Sequence, residues 1–386
     1  MANPFLFGKI VTGEHFCNRE KEKRLLEENL KGGQSIVVIA PRRMGKSSLL
    51  SVVTARLEAL GMVCGRIDFF GLKSASKIVS ETVRVCAETI SHQESDLKRF
   101  LATIAGIFKR TRIAIEPSPD GTGFTIKPEI TLPLVIRTGL VEAIAGLDDF
   151  LGEQGKRGVL VMDEFQEILN IDRHDSTSLE AEFRKIVQST KNVSFAFLGS
   201  QANLLSEMFT GRKRPFFQAA KIIDLGSIDR RSLGIYIEKR FKSAGISVGN
   251  PKSILDLIDG HPDYAQRLCS HIYDIIISVD SNGTAIRMDD TILKNGLKSM
   301  LEACSLMFIP EWQSYPLRQQ QVLSILAEHG PLRRVPALHL AEYSMSATSF
   351  NTALKELLRK GVVKKNQAGQ NELADPFFGM WIMRRW

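Results

Sequence analysis

The stretch SIVVIAPRRMGKSSLL, residues 35–50, reads as a buried strand, a tight turn and the start of a helix. Ser35 to Ala40 carry an apolar run without alternation, which marks a strand covered on both faces. Gly45-Lys46-Ser47 then supplies what a phosphate-binding loop uses: inward backbone N–H groups at a helix N-terminus, where the helix dipole favours an anion. Gly45 permits close approach, Lys46 can reach the β and γ phosphates, and the Ser47 hydroxyl suits Mg2+. The leading position holds Ala40 where glycine is usual. That residue ends a strand, and alanine is acceptable there if its φ stays negative.

Similar apolar runs recur at Met62–Phe70, Gly158–Met162, Val193–Gly199 and Ala220–Leu225, separated by segments with helical spacing. The first 225 residues therefore read as an α/β domain with a parallel sheet, and parallel sheets present ligands at the carboxyl ends of their strands. The third run ends in Asp163-Glu164. In a phosphate-loop protein the first carboxylate supports Mg2+ and the second can polarise the attacking water. The fourth run releases Ser200 and Gln201, which either hydrogen-bond a γ-phosphate or cap the next helix. Beyond them, Arg212 and Arg214 are candidates for the arginine that meets transition-state charge on phosphorus, or members of a solvated basic loop. No Asn-Lys-x-Asp segment occurs, which disfavours a guanine-specific site.

At 386 residues the chain is long enough for two or three domains, and 44% hydrophobic with 24% charged residues is ordinary for globular proteins. The net charge of +8 favours an anionic partner: nucleotide, nucleic acid or anionic lipid. Cys17, Cys64, Cys86, Cys269 and Cys304 have no metal-ligand spacing and read as reduced thiols, so a cytoplasmic setting is expected. Neither an export signal nor a membrane span is expected from the apolar patterning.

A β-hairpin insertion is expected at about 111–128, and carries no clustered reactive side chains. Helical patterns over residues 226–308 suggest a small lid domain, with a linker at Ile309 to Pro316. Residues 309–386 show three helices and then a hairpin, the winged-helix arrangement. Phe350, Ala353, Leu354, Leu357 and Leu358 form one apolar stripe on the third helix. Residues 311–386 contain 10 Lys+Arg against 6 Asp+Glu. A DNA-reading winged helix would present Thr348, Asn351, Thr352 and Lys355 to bases and Lys364 and Lys365 to phosphates. The same residue types suit a protein-docking or autoinhibitory domain.

With these motifs in order along nearly the whole chain, the sequence resembles the archaeal-type ATPases, a branch of the STAND P-loop ATPases related to AAA+ proteins. The resembling stretches are Phe16-Cys17-Asn18-Arg19-Glu20, the loop Ala40 to Ser48 with its Pro41-Arg42-Arg43-Met44 insert, and Met162 to Gln166. Further on come Gly260-His261-Pro262 with Tyr264, and Asp375-Pro376-Phe377-Phe378 with Trp381. The resemblance implies an ATP-bound core, a helical lid and a winged helix. It places Phe16 and Arg19 near the nucleotide base, has His261 sense the nucleotide and has Pro262 shape a helix start. Without it, His261 is a lone histidine in a turn. The function expected is a Mg2+-dependent ATPase acting as a nucleotide-driven switch, with DNA, a protein or a second copy of the chain as partner. The alternative is a DNA-binding regulator whose nucleotide is structural.

Overall fold

A computed structural model describes residues 2–90, 112–117, 124–129, 133–171, 173–249, 251–279, 288–366 and 368–384. The chain divides into two compact units, Ile10–Gly226 and a second made of Met1–Lys9 with Ser227–Trp386.

In the first unit, helix α1 (Glu20–Lys31) leads into strand β1 (Ile36–Ile39) and helix α2 (Lys46–Ala59), followed by β2 (Val63–Asp68) and α3 (Ala75–Ile90). Strands β3 (Arg112–Pro117) and β4 (Phe124–Glu129) pair antiparallel, with Arg112 opposite Glu129, as the inserted hairpin predicts; its turn lies outside the described residues. Helix α4 (Pro133–Glu153), β5 (Gly158–Asp163), a 3-10 turn (Phe165–Asn170), α5 (Arg173–Ser189), β6 (Val193–Leu198), α6 (Ala202–Thr210) and β7 (Lys221–Asp224) complete it.

Five of these strands form one parallel sheet in the order β2-β5-β6-β1-β7. Alternate residues of β1 feed opposite faces. Val37 joins the core that holds Phe165, Phe183, Phe197, Phe209 and Phe216, whereas Ile36 and Val38 join the core beneath α1 and α2. Burial on both faces explains the unbroken apolar runs. Asp148 of α4 fixes the start of β6 by accepting from the N–H groups of Lys191, Asn192 and Val193 at 2.6–3.0 Å. This order sets β6 between the strand that ends in the loop and the strand that ends in Asp163-Glu164.

The second unit contains α7 (Arg230–Ser243), α8 (Lys252–Ile258), α9 (Pro262–Val279), α10 (Asp290–Gln313), α11 (Leu317–His329), α12 (Ala337–Glu342), α13 (Ala347–Lys360), β8 (Val363–Lys365), β9 (Asn371–Leu373) and α14 (Pro376–Arg384). The expected linker at Ile309 to Pro316 is mostly helix: α10 runs through Pro310 to Gln313. A proline inside a helix removes a hydrogen bond and costs about 3 kcal/mol. Burial of Phe308 and Trp312 against Phe378 and Trp381 accompanies it, with ring centroids 5.2–6.4 Å apart. The first nine residues, expected in the core, belong instead to this unit. Phe5 packs on Phe241 at 4.6 Å and the Arg240 guanidinium Nε donates to the Pro4 carbonyl at 2.9 Å.

Two motifs distant in sequence meet here. The Tyr264 hydroxyl donates to Asp375, whose other oxygen caps α14 by accepting from the N–H groups of Phe377 (2.9 Å) and Phe378 (3.1 Å). On α13 the apolar stripe is buried at Phe350, Ala353, Leu354 and Leu357 and half-buried at Leu358, and Thr348, Asn351, Thr352 and Lys355 are exposed. Lys364 and Lys365 are exposed on the β8–β9 hairpin, where Lys364 pairs with Glu372 at 3.3 Å. Arg385 and Trp386 lie outside the described residues.

Candidate nucleotide-binding site

The loop between β1 and α2 turns at two left-handed residues, Arg43 (φ 62°) and Gly45 (φ 84°), whereas Ala40 lies outside that region, as its acceptance in the loop required. The residue that needs glycine-like freedom is therefore Arg43 rather than Ala40. A left-handed conformation costs a residue with a Cβ about 1–2 kcal/mol. Arg43→Gly is accordingly expected to be more stable than Arg43→Ala by about 1 kcal/mol in urea unfolding, reversing the usual order of these residues. Equal midpoints would show that the loop does not retain this turn.

Lys46 is the first residue of α2 and is buried. Its ammonium donates to the carbonyls of Ala40 (3.1 Å) and Pro41 (3.0 Å). Burial pulls its pKa down, against the raising influence of Glu164 and Asp163. Ser47 Oγ lies 3.5 Å from Asp163 Oδ2, and Ser48 Oγ accepts from the N–H of Val11 at 3.1 Å, so Ser48 ties the preceding segment to the loop. Pro41, Arg42 and Arg43 are exposed at its rim, and Met44 is buried beneath it.

Asp163 ends β5, and its Oδ1 accepts from the Glu164 N–H at 3.0 Å while Oδ2 takes an ion pair from Arg66 of β2. Glu164 is itself left-handed (φ 50°), which turns its side chain out of the strand direction. Its Oε2 accepts three hydrogen bonds: from Gln166 Nε2 (2.6 Å), the Ser200 N–H (3.0 Å) and Ser200 Oγ (2.8 Å). Burial alone would raise this carboxyl, but the Gln166 and Ser200 donors, aided by Lys46, outweigh it and hold Glu164 below the usual carboxylate range. Gly199 makes room for this clamp, because a Cβ there would lie 1.9 Å from Gln166 Oε1.

Before the first strand, Arg19 (φ 69°) is buried and reaches the Met44 carbonyl at 3.4 Å, and Phe16 lies 5.5 Å from the Lys23 ammonium. The Phe16-to-Arg19 segment is thus built against the loop and α1. Gln201 Nε2 lies 3.5 Å from Glu167. Arg214 pairs with Glu180 and Glu207, both at 3.4 Å, while Arg212 is exposed on the same turn. In the second unit, His261 packs its ring on Tyr264 with centroids 4.5 Å apart, and Pro262 begins α9.

Residues 28–207 match the family model described as an AAA domain, and residues 307–384 match a probable winged helix domain. The chain joins an AAA domain to a C-terminal winged helix domain. None of the curated proteins matches it in sequence. Among solved structures, a Walker-type ATPase of Pyrococcus abyssi aligns over 96% of this chain and 97% of its own, with 17% identity and a TM-score of 0.65. The Aeropyrum pernix ORC2 protein, in its ADPNP–ADP complexes, aligns over 95% and 93%, with 16% identity and a TM-score of 0.56. At these identities the likeness is one of fold.

Within the AAA domain the structure brings Lys46, Ser47, Asp163, Glu164 and Ser200 together, at the carboxyl ends of three neighbouring strands. Sequence reasoning gave no role to Arg66 or Gln166. An arginine in the middle of β2 was the signal for Arg66, and a polar residue two positions after Glu164 was the signal for Gln166.

Proposed function

We propose that this AAA protein binds and hydrolyses ATP and uses the cycle to switch the state of its winged helix. The observation that carries the reading is the ionised Glu164 carboxylate, clamped through Oε2 beside Lys46, Ser47 and Asp163. That arrangement leaves Oε1 to accept a proton from water attacking the γ-phosphorus, the role of a general base in phosphoryl transfer. Lys46 meets phosphate charge. Pro41, Arg42, Arg43, Met44, Gly45, Ser47 and Ser48 supply the loop around the phosphates, and Phe16 and Arg19 border the base. Ser47 and Asp163 offer only oxygen atoms, which suits Mg2+, and the bound ion would neutralise developing charge on the phosphate oxygens. Arg212, free of the carboxylate pairs that engage Arg214, is the better candidate for the transition-state arginine. The roles of His261 in sensing nucleotide and of Pro262 in shaping the helix start, and membership of the STAND branch, rest on the sequence resemblance. Among the described residues no helix is long and apolar enough to cross a membrane; the placement in the cytoplasm rests on the reading of the five scattered cysteines as reduced thiols.

For the winged helix we propose a DNA partner, supported by the exposed polar face of α13 and the exposed lysines of β8. ATP hydrolysis measured with and without duplex DNA, at two salt concentrations, tests both parts. DNA stimulation that fades with salt is expected, because contacts to phosphates release counterions. Hydrolysis indifferent to DNA at low salt would turn the reading toward a protein partner, and absence of hydrolysis toward a regulator with structural nucleotide.

A further inference from the structure

At the carboxyl end of α11, Glu328 and His329 come beside His339 and Glu342 of α12. The two imidazole rings stack with centroids 3.7 Å apart and planes 14° from parallel. His329 Nε2 and His339 Nδ1 are both buried and neither makes a hydrogen bond. Glu342 Oε2 lies 3.6 Å from the first and 3.8 Å from the second, and Glu328 Oε2 lies 3.5 Å from His329 Nε2. These separations are long for N–H···O bonds, which centre near about 2.9–3.0 Å. They are close to the roughly 3.4 Å edge of a tetrahedron whose ligands sit about 2.0–2.1 Å from one ion, and binding one ion would turn the two rings out of their stack so that both nitrogen lone pairs, which lie in the ring planes, converge on it.

We propose that His329, His339 and Glu342 form a site for a divalent transition metal of the zinc type, with water completing the coordination. The three ligand atoms of that core lie within 4.8 Å of one another. Two imidazoles with one carboxylate select a borderline ion over Mg2+ or Ca2+, which take oxygen donors. A cation also resolves the two buried ring nitrogens, each of which otherwise goes without a hydrogen bond. An outer partner is in place: the Tyr343 hydroxyl donates to Glu328 Oε1 at 2.9 Å. That hydrogen bond orients Glu328 beside His329. The ion would tie α11 to α12, which packs on α13, and so fix the winged helix around its exposed helix.

The untagged full chain, stripped with chelator and free of nucleotide, is titrated with Co2+ by visible absorption and with Zn2+ by calorimetry. One equivalent should bind, with the strong visible bands of four-coordinate cobalt that zinc abolishes, and zinc should raise the thermal midpoint. Glu342→Gln, at an exposed position where folding is not at stake, and His339→Ala should each weaken binding by at least the 10- to 100-fold lost with outer-shell partners. Failure to bind a stoichiometric ion would overturn the proposal, as would uptake unchanged in the His329→Ala/His339→Ala double variant whose circular dichroism matches that of the parent.

Discussion

Glu164→Gln is expected to slow ATP hydrolysis about 10²- to 10⁴-fold, the usual worth of a positioned general base, while leaving ATP affinity little changed. Glutamine keeps the shape of the side chain and an acceptor for the Ser200 N–H and Oγ, so the turn persists; only the capacity to take a proton is lost. Single-turnover hydrolysis alongside equilibrium binding of labelled ATP separates the two effects. Parental single-turnover rates in Glu164→Gln would remove Glu164 from the reaction. The pH dependence follows from the same clamp. The folded carboxyl is held below its unfolded value, so its contribution to stability is full above the unfolded pKa and lost as pH falls through the folded one. Hydrolysis should therefore stay level across neutral pH and decline only below the ordinary carboxylate range. Ser200→Ala deletes one of the three donors to Oε2 and should move that decline upward.

The core of this site was legible because its signals are local. An apolar strand, a glycine turn and a helix start are contiguous, and so are the strand of β5 and its two carboxylates. What escaped was set by sheet order. Arg66 reaches Asp163 because β2 lies beside β5 with Asp68 opposite Asp163, and nothing in either strand announces that neighbour. Gln166 acquires its role only because β6 brings Ser200 to the same carboxylate. The winged helix was read correctly, yet the linker expected before it at Ile309 to Pro316 was not. Pro310 signals a break, and the aromatic packing of Phe308 and Trp312 on α14 overrides that local cost. The contact of Tyr264 with Asp375 joins two stretches far apart in the sequence, and it gives the C-terminal motif a physical purpose: the carboxylate that caps α14 also holds the helix that follows His261. The Ala40 question shows how a motif can mislead. The pattern draws attention to its first position, whereas the backbone requires unusual freedom at Arg43 and Gly45.

Lys46→Met should reduce ATP affinity about 30- to 4,000-fold, the equivalent of the 2–5 kcal/mol lost when one partner of a desolvated charge pair is removed. Methionine retains the apolar stem that Lys46 buries at the start of α2, so the change should fall on binding more than on folding. Two carbonyls, of Ala40 and Pro41, lose their donor. The Pro41 carbonyl lies at the exposed mouth of the loop, where water can replace the donor, whereas Ala40 is fully buried, so part of the effect falls on stability. The lysine is also a cation between two carboxylates: Glu164 and Asp163 favour its charge, while burial opposes it. Its removal leaves those carboxylates facing the incoming triphosphate with less compensation, which adds repulsion to the lost attraction. The deficit should therefore grow with phosphate charge, largest for ATP, smaller for ADP and least for adenosine. Equal losses for all three ligands in calorimetry would mean that Lys46 shapes the loop without meeting the phosphates, and an unchanged ATP affinity would end the case for this loop as the nucleotide site.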